Sequence, residues 1–227
     1  MIVVRELEEH AELVTAVQLQ KEIWGFSDLD LLPVRLFVVA TKIGGQVLGA
    51  FDNDRMVGFL ISIPGVKPGG RAFLHSQMMG VVAEYRNAGA GRMMKLKQRE
   101  LALALGVNLI EWTFDPLELK NAFFNIERLG AVVKRYVLNQ YGNTSSLLHA
   151  GLPTDRCVAE WHLDQTKTPV EIVARIEVPN VGARTIDVQS RISQAFLEHF
   201  RAGRTVVGFE RGETHGAYLL ADQDGLV

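Results

Sequence analysis

Hydrophobic positions along the chain alternate between strand-like and helix-like spacing. Ile2 to Leu7 is a short β-branched run that reads as a strand, and from Glu8 to Ile23 the residues Leu13, Val17 and Leu19 or Gln20 recur at helical spacing. Gly25, in Trp24-Gly25-Phe26-Ser27-Asp28, ends that helix, and Pro33 opens a second segment, Val34 to Thr41, read as helix rather than strand. Gly44-Gly45 turns into Gln46 to Phe51, and the polar turn Asp52-Asn53-Asp54 leads to Met56 to Ile63, which predicts an antiparallel hairpin followed by a loop from Pro64 to Gly70. Next come a strand, Ala72 to Val82, and a helix, Gly89 to Leu105. That helix is expected to pack through Met93, Leu96, Leu101 and Ala104 and to show Arg92, Lys95 and Arg99 on a cationic face.

Asn108 to Phe114 is a β-rich strand stopped by Asp115-Pro116; Leu117 to Leu129 reads as a helix closed by Gly130, and Ala131 to Leu138 as a strand. The stretch Gly142 to Pro153, with Asn143, Thr144, Ser145, Ser146 and His149, reads as a surface loop long enough to serve as a lid. Arg156 to Leu163 returns as a strand to pair with Ala131 to Leu138. After the polar link Thr166-Lys167-Thr168-Pro169, the tail predicts strand Glu171 to Val178, a turn at Pro179 to Gly182, helix Val188 to Arg201, and a hairpin of Arg204 to Glu210 with Thr214 to Leu220. With few large apolar groups, this tail is expected to pack on the rest of the chain or to pair with another subunit in a homodimer.

The junction that carries chemistry is Arg86-Asn87-Ala88-Gly89-Ala90-Gly91-Arg92, between the strand ending near Val82 and the long helix. Two glycines at i and i+2 permit a tight turn close to a ligand, and the first N–H groups of a helix have no partner within it. The positive end of the helix dipole and the two flanking arginines suit a diphosphate. Position 94 is Met and no Gly-Lys-Ser/Thr follows, so neither the dinucleotide fingerprint nor the P-loop is present.

With Met79-Gly80-Val81-Val82-Ala83-Glu84-Tyr85 before it, this Arg-x-x-Gly-x-Gly resembles the acyl-CoA signature of the GNAT superfamily of N-acyltransferases, Ala83 standing where a proline is usual. Leu117 to Tyr141, with Asn121-Ala122-Phe123-Phe124-Asn125 and Leu129-Gly130-Ala131, is similar to the superfamily's second helix-strand block and closest to a sparsely characterised bacterial branch. The resemblance implies an α/β fold of the α+β kind: a mixed, mostly antiparallel sheet flanked by helices and splayed at a parallel central pair. It implies an acyltransferase domain over residues 1–164, with a C-terminal β-α-β-β extension over 165–227. The backbone of Met79, Gly80 and Val81 would then pair with the pantetheine arm of acetyl-CoA or another acyl-CoA, and the N–H groups of Asn87, Ala88, Gly89, Ala90, Gly91 and Arg92 would hold the pyrophosphate, with Arg86 and Arg92 bracketing it by their charges. Gly80 has the alternative role of relieving crowding, and Asn121 and Asn125 are further candidates for contact with CoA.

Acyl transfer to an amine needs a proton acceptor, donors for an oxyanion and an acid for the departing thiolate. Glu111 is the one carboxylate inside its strand and lines up with a glutamate that some GNAT branches use as base; His75 is the second candidate. The family's usual acid, a tyrosine, is replaced by Ile126, so Tyr141 or Tyr136 would have to serve. The implied function is transfer of an acyl group to a primary amine of a small molecule, the alternative being a catalytically inactive CoA-binding module.

Composition narrows the rest. At 227 residues, 48% hydrophobic and 22% charged, with a net charge of −2, the chain reads as an ordinary globular protein and not as a nucleic-acid binder. Cys157 is the single cysteine, no His/Cys cluster has metal-ligand spacing, and no apolar run approaches the roughly 18 residues a membrane span needs. The absence of a signal-like stretch at Met1 to Glu6 leads to the expectation of a cytoplasmic protein without metal or membrane partner.

Overall fold

The computed structural model describes residues 1–142, 151–166, 169–180 and 184–223. The loop residues Asn143, Thr144, Ser145, Ser146 and His149, and part of the expected turn at Pro179 to Gly182, lie outside them. The chain forms two compact units, Met1–Ile110 and the described residues from Glu111 onward. This division falls elsewhere than the expected domain boundary at residue 164.

Unit 1 carries β1 (Ile2–Glu6), α1 (His10–Trp24), α2 (Val34–Ala40), β2 (Gln46–Asp52), β3 (Arg55–Val66), β4 (Ala72–Val81) and α3 (Ala90–Ala104), and it holds the first residues of β5 (Leu109–Phe114). Neighbouring strands in the order β1-β2-β3-β4 are antiparallel, while β4 and β5 form the parallel pair. A capping box between Glu9 and Glu12 starts α1, and Gly25 at φ 67° ends it. Phe37, Leu48, Phe59, Leu60, Ile61 and Met94 fill the core, all essentially sealed from solvent.

Two local expectations are corrected. Pro64 is not in a loop: β3 runs on to Val66, with Pro64 opposite Leu74. Pairing with β2 stops at Ser62, so beyond it β3 has one free side, where a missing N–H breaks no ladder. The second correction concerns α3, whose buried residues are Ala90, Met94, Lys95, Gln98 and Ala102, while Met93 and Leu96 are about 40% exposed. Lys95 therefore belongs to the core and not to a cationic face. Hydrogen bonds to buried polar atoms of β4 and of the helix itself keep it there.

Unit 2 contains the rest of β5, α4 (Leu119–Phe123) running into a π turn (Phe124–Arg128), β6 (Val132–Val137), β7 (Arg156–His162), β8 (Ala174–Pro179), α5 (Ile186–Arg201), β9 (Arg204–Arg211) and β10 (His215–Asp222). Its strand order is β5-β7-β6-β9-β10-β8. The helix expected over Leu117 to Leu129 is shorter because the Leu129 N–H reaches back five residues to the Phe124 carbonyl, widening the last turn.

The tail continues this sheet: β9 is antiparallel to β6 at Val133 and Val206, and β10 bridges β9 to β8. Its core is aromatic. Phe196 of α5 stacks on Tyr136 of β6 with centroids 4.9 Å apart, and Tyr218 meets both Phe196 and Phe209 edge-on. The Tyr218 hydroxyl donates to the Pro116 carbonyl at 2.7 Å, and Arg184 pairs with Asp115 and Glu118. Thus Phe196, Phe209 and Tyr218 of the tail, with Tyr136 of β6, supply the packing that a small tail needs, and the polar contacts add to it.

Candidate functional site

The Arg86 to Arg92 turn owes its shape to two left-handed residues. After β4 a 3-10 turn, Ala83–Tyr85, redirects the chain; Asn87 then sits at φ 67° and Gly89, the N-cap of α3, at φ 87°. Asparagine and glycine tolerate that region best. The first helical bond runs from Met93 N–H to the Gly89 carbonyl at 3.0 Å, and no side chain caps the helix. The N–H groups of Ala90, Gly91 and Arg92 therefore find no acceptor within the helix. Ala90 is buried and anchors this end, while Asn87, Ala88, Gly89 and Arg92 are exposed.

The three glycines nearby serve different ends. A side chain at Gly89 would be strained by its φ, whereas a Cβ at Gly91 would meet only the Met79 methyl carbon, 3.6 Å away, an ordinary contact. Among the described residues nothing requires glycine at 91, and its lack of a side chain keeps the approach to the helix end open. At Gly80 a Cβ would lie 2.5 Å from the Trp24 ring and 2.8 Å from Ile23 Cδ1, so crowding against α1 accounts for it. Arg86 is exposed, its guanidinium reaching toward the carbonyls of Val81 and Ile23 at 3.4 and 3.5 Å.

β4 contains a feature that periodicity does not reveal. Ile61 of β3 faces Met78 and Ser62 faces Ser76, so Gln77 is an extra, unopposed residue. Such a bulge redirects the strand beyond it, here Met79, Gly80 and Val81, opposite Leu60, Phe59 and Gly58. His75, half-buried, lies just before it, opposite Ile63.

In unit 2, Glu111 is only 4% exposed, and one of its carboxylate oxygens accepts from Arg135 at 2.6 Å. The same guanidinium nitrogen lies 3.6 Å from Glu160, whose other oxygen is 3.5 Å from His162 Nε2. Two residues along β5, Thr113 Oγ1 is 2.8 Å from the Tyr141 hydroxyl, and Arg156 lies over the Tyr141 ring. Tyr141 is 42% exposed and Tyr136 is not. Burial pushes the Tyr136 phenol far above its ordinary value, and its oxygen is engaged by Ser193 and Asp155 at 2.9 and 3.3 Å.

Asn121 is exposed, whereas Asn125 is 5% exposed and Ile126 fully buried. Unit 1 thus groups Met79, Gly80, Val81 and the turn residues 86–92, with His75 on the same strand; unit 2 groups Glu111 with the Thr113–Tyr141 pair. Arg135, Thr113, Gln77 and Lys95 had no motif to mark them. Only the strand alternation of β5 hinted that Thr113 shares a face with Glu111.

Solved structures share the fold. The ribosomal-protein-S18-alanine N-acetyltransferase of Escherichia coli superposes with a TM-score of 0.57 at 15% identity, covering 73% of this chain and 96% of its own. The Salmonella typhimurium protein yncA, solved with its cofactor acetyl-CoA, gives 0.57 at 15% identity over 74% and 97%. A GNAT-family acetyltransferase from Streptococcus pneumoniae gives 0.54 at 16% identity over 70% and 98%. The chain has the fold of the GNAT acetyltransferases. No protein-family model matches the sequence, and no curated protein matches it significantly. Among the described residues no helix is long and apolar enough to cross a membrane.

Proposed function

We propose that the protein is an acyl-CoA-dependent N-acyltransferase, moving an acetyl or other acyl group from CoA to a primary amine of a small molecule. The observation that carries this reading is the uncapped start of α3, kept open by Gly91 and placed after β4 in a GNAT fold. The N–H groups of Asn87, Gly89, Ala90, Gly91 and Arg92 take the pyrophosphate, that of Ala88 being donated to the Tyr85 carbonyl at 3.3 Å; Arg86 and Arg92 help, and Met79, Gly80 and Val81 align the pantetheine arm. Asn121 is the more accessible of the two asparagines for contact with CoA, since Asn125 is buried. Acyl-CoA would supply the thioester, whose carbonyl carbon is open to attack by the amine and whose leaving group is the CoA thiolate.

Glu111, or else His75, accepts the proton that the amine loses as the new C–N bond forms and the C–S bond breaks. Tyr141 protonates the departing thiolate; Tyr136 is unsuited, since its hydroxyl is buried and engaged. Residues 1–164 form the acyltransferase region, and 165–227 the extension. The Escherichia coli neighbour acts on an alanine of a ribosomal protein, so a protein α-amine belongs in any acceptor screen. A CoA-binding module without turnover is the second reading, favoured by Ile126, fully buried and without a proton where the family's usual acid stands.

Acetyl-CoA at a hundredfold excess over its Kd should stabilise the protein by about 2.7 kcal/mol in thermal denaturation. Gly91→Val should abolish this shift while leaving the unliganded protein folded, because the Cβ there has room and only the ligand's approach is blocked. A Gly91→Val protein that binds acetyl-CoA like wild type would remove the glycine turn from the site. With amines present, Glu111→Gln should lower thiol release by about 10²- to 10⁴-fold at unchanged CoA affinity. If no amine releases thiol from the wild type while acetyl-CoA still binds, the second reading stands.

A further inference from the structure

Five polar side chains lie buried together inside unit 1. Gln46, Ser62, Ser76, Lys95 and Gln98 are each at most 6% exposed. The Lys95 ammonium nitrogen donates to Ser76 Oγ at 2.8 Å and to Gln98 Oε1 at 3.0 Å. Gln46 Nε2 donates to the Gln98 carbonyl at 3.3 Å, and the Gln46 N–H donates to Ser62 Oγ at 3.2 Å. Ser62 in turn lies opposite Ser76 across β3 and β4, which closes a ring through α3, β2, β3 and β4.

This ring is expensive for the fold. Gln46 Oε1 and Gln98 Nε2 are buried without a hydrogen-bond partner among the described residues, and each such atom destabilises the fold. Burial also lowers Lys95 from 10.5 to about 7. Methionine or leucine at 95 would fill much the same space without these costs. What the ring specifies is the register of β4. In a regular ladder Ser62 would face Gln77, and Ser76 would be displaced by one residue, about 3.3 Å, away from the lysine. The Lys95–Ser76 bond therefore suits the bulged register.

We propose that Lys95 is a positioning residue: by holding Ser76 it locks the bulge at Gln77, and so fixes the backbone of Met79, Gly80 and Val81 where the acyl-bearing arm of CoA is aligned. The last clause rests on the acyltransferase reading; the lock itself does not. The lysine is suited to this work because its donors meet acceptors on both β4 and α3, tying the strand to the helix that begins at the glycine turn.

The test uses the full chain and two variants, Lys95→Met and Ser76→Ala, the second removing the contact with less change of volume. Amide hydrogen exchange at Gln77 and Met78 should quicken about tenfold or more in both, with the Val47–Phe59 hairpin unchanged. Affinity for acetyl-CoA should fall about tenfold, while adenosine 3′,5′-bisphosphate, which lacks the pantetheine arm, should bind as to wild type. Wild-type exchange at both amides in both variants overturns the lock, and so does an equal loss of both ligands, which would indicate general loosening. If the wild type binds neither ligand, it is the acyltransferase reading that fails, and the exchange rates alone decide for or against the lock.

Discussion

Two buried polar clusters, one in each unit, solve the same problem with opposite economies. In unit 2, Asp155 accepts from Ser193 at 2.6 Å and from Tyr136 at 3.3 Å through one oxygen and from the Asn139 N–H at 2.9 Å through the other. Ser193 also donates to the Gln189 carbonyl, an alternative for its single proton. Both carboxylate oxygens are used, and the cluster joins α5 to the β6–β7 hairpin. In unit 1 the Lys95 ring leaves two amide atoms unpartnered among the described residues and holds an amine in surroundings that disfavour its charge. A satisfied cluster is what docking of a helix requires; an incompletely satisfied one, beside a bulge, serves placement at the expense of stability.

Removing the charged centre of the satisfied cluster should therefore have the largest effect on stability. Asp155→Ala strands the Asn139 N–H and takes the carboxylate acceptor from the Ser193 and Tyr136 hydroxyls, and should cost about 3 kcal/mol in urea unfolding, whereas Lys95→Met should be neutral or stabilising. Equal destabilisation by the two substitutions would erase the contrast between the clusters.

The next effect is a pH dependence. The Lys95 amine has its pKa lowered by burial to about 7 in the folded protein, against 10.5 as its ordinary value. Below pH 7 both folded and unfolded chains carry the proton, and the full cost of burying the charge is present. Between these two values the unfolded chain binds more protons, so stability rises with pH, by at most about 1.4 kcal/mol per unit. Urea unfolding of wild type and Lys95→Met at pH 7 and pH 9 should show wild type gaining relative to the variant; no relative gain would mean that the amine titrates near its ordinary value.

The smallest effects distinguish the two tyrosines. Tyr136→Phe removes a buried hydroxyl from the Asp155 cluster and should cost about 1 kcal/mol without altering any thiol release. Tyr141→Phe, at a half-exposed ring, should cost less than about 0.5 kcal/mol yet lower thiol release if its proton goes to the leaving thiolate. Loss of turnover at Tyr136 instead, at normal stability, would reverse these assignments.

The succession of strands and helices, the hairpin at Asp52-Asn53-Asp54 and the glycine turn were legible in the sequence, because period, turn residues and left-handed positions are local properties. Glu111 was legible as a lone carboxylate in an apolar strand, but its partner Arg135 was not, since β6 comes within reach of β5 across β7 only in the folded sheet. The reading of α3 failed for a similar reason. Hydropathy alone places Met93 and Leu96 inside and Lys95 outside, yet contacts supplied by β2 and β4 decide which face is buried.

What the sequence determined by itself was the set of elements and the glycine turn that starts α3, both written in spacing and backbone preference. The tertiary structure alone decided the bulge at Gln77, the inward turn of Lys95, the engagement of Tyr136 and the joining of the tail to β6. Each of these depends on partners far along the chain, whose hydrogen bonds and packing outweigh the local preference of any single residue.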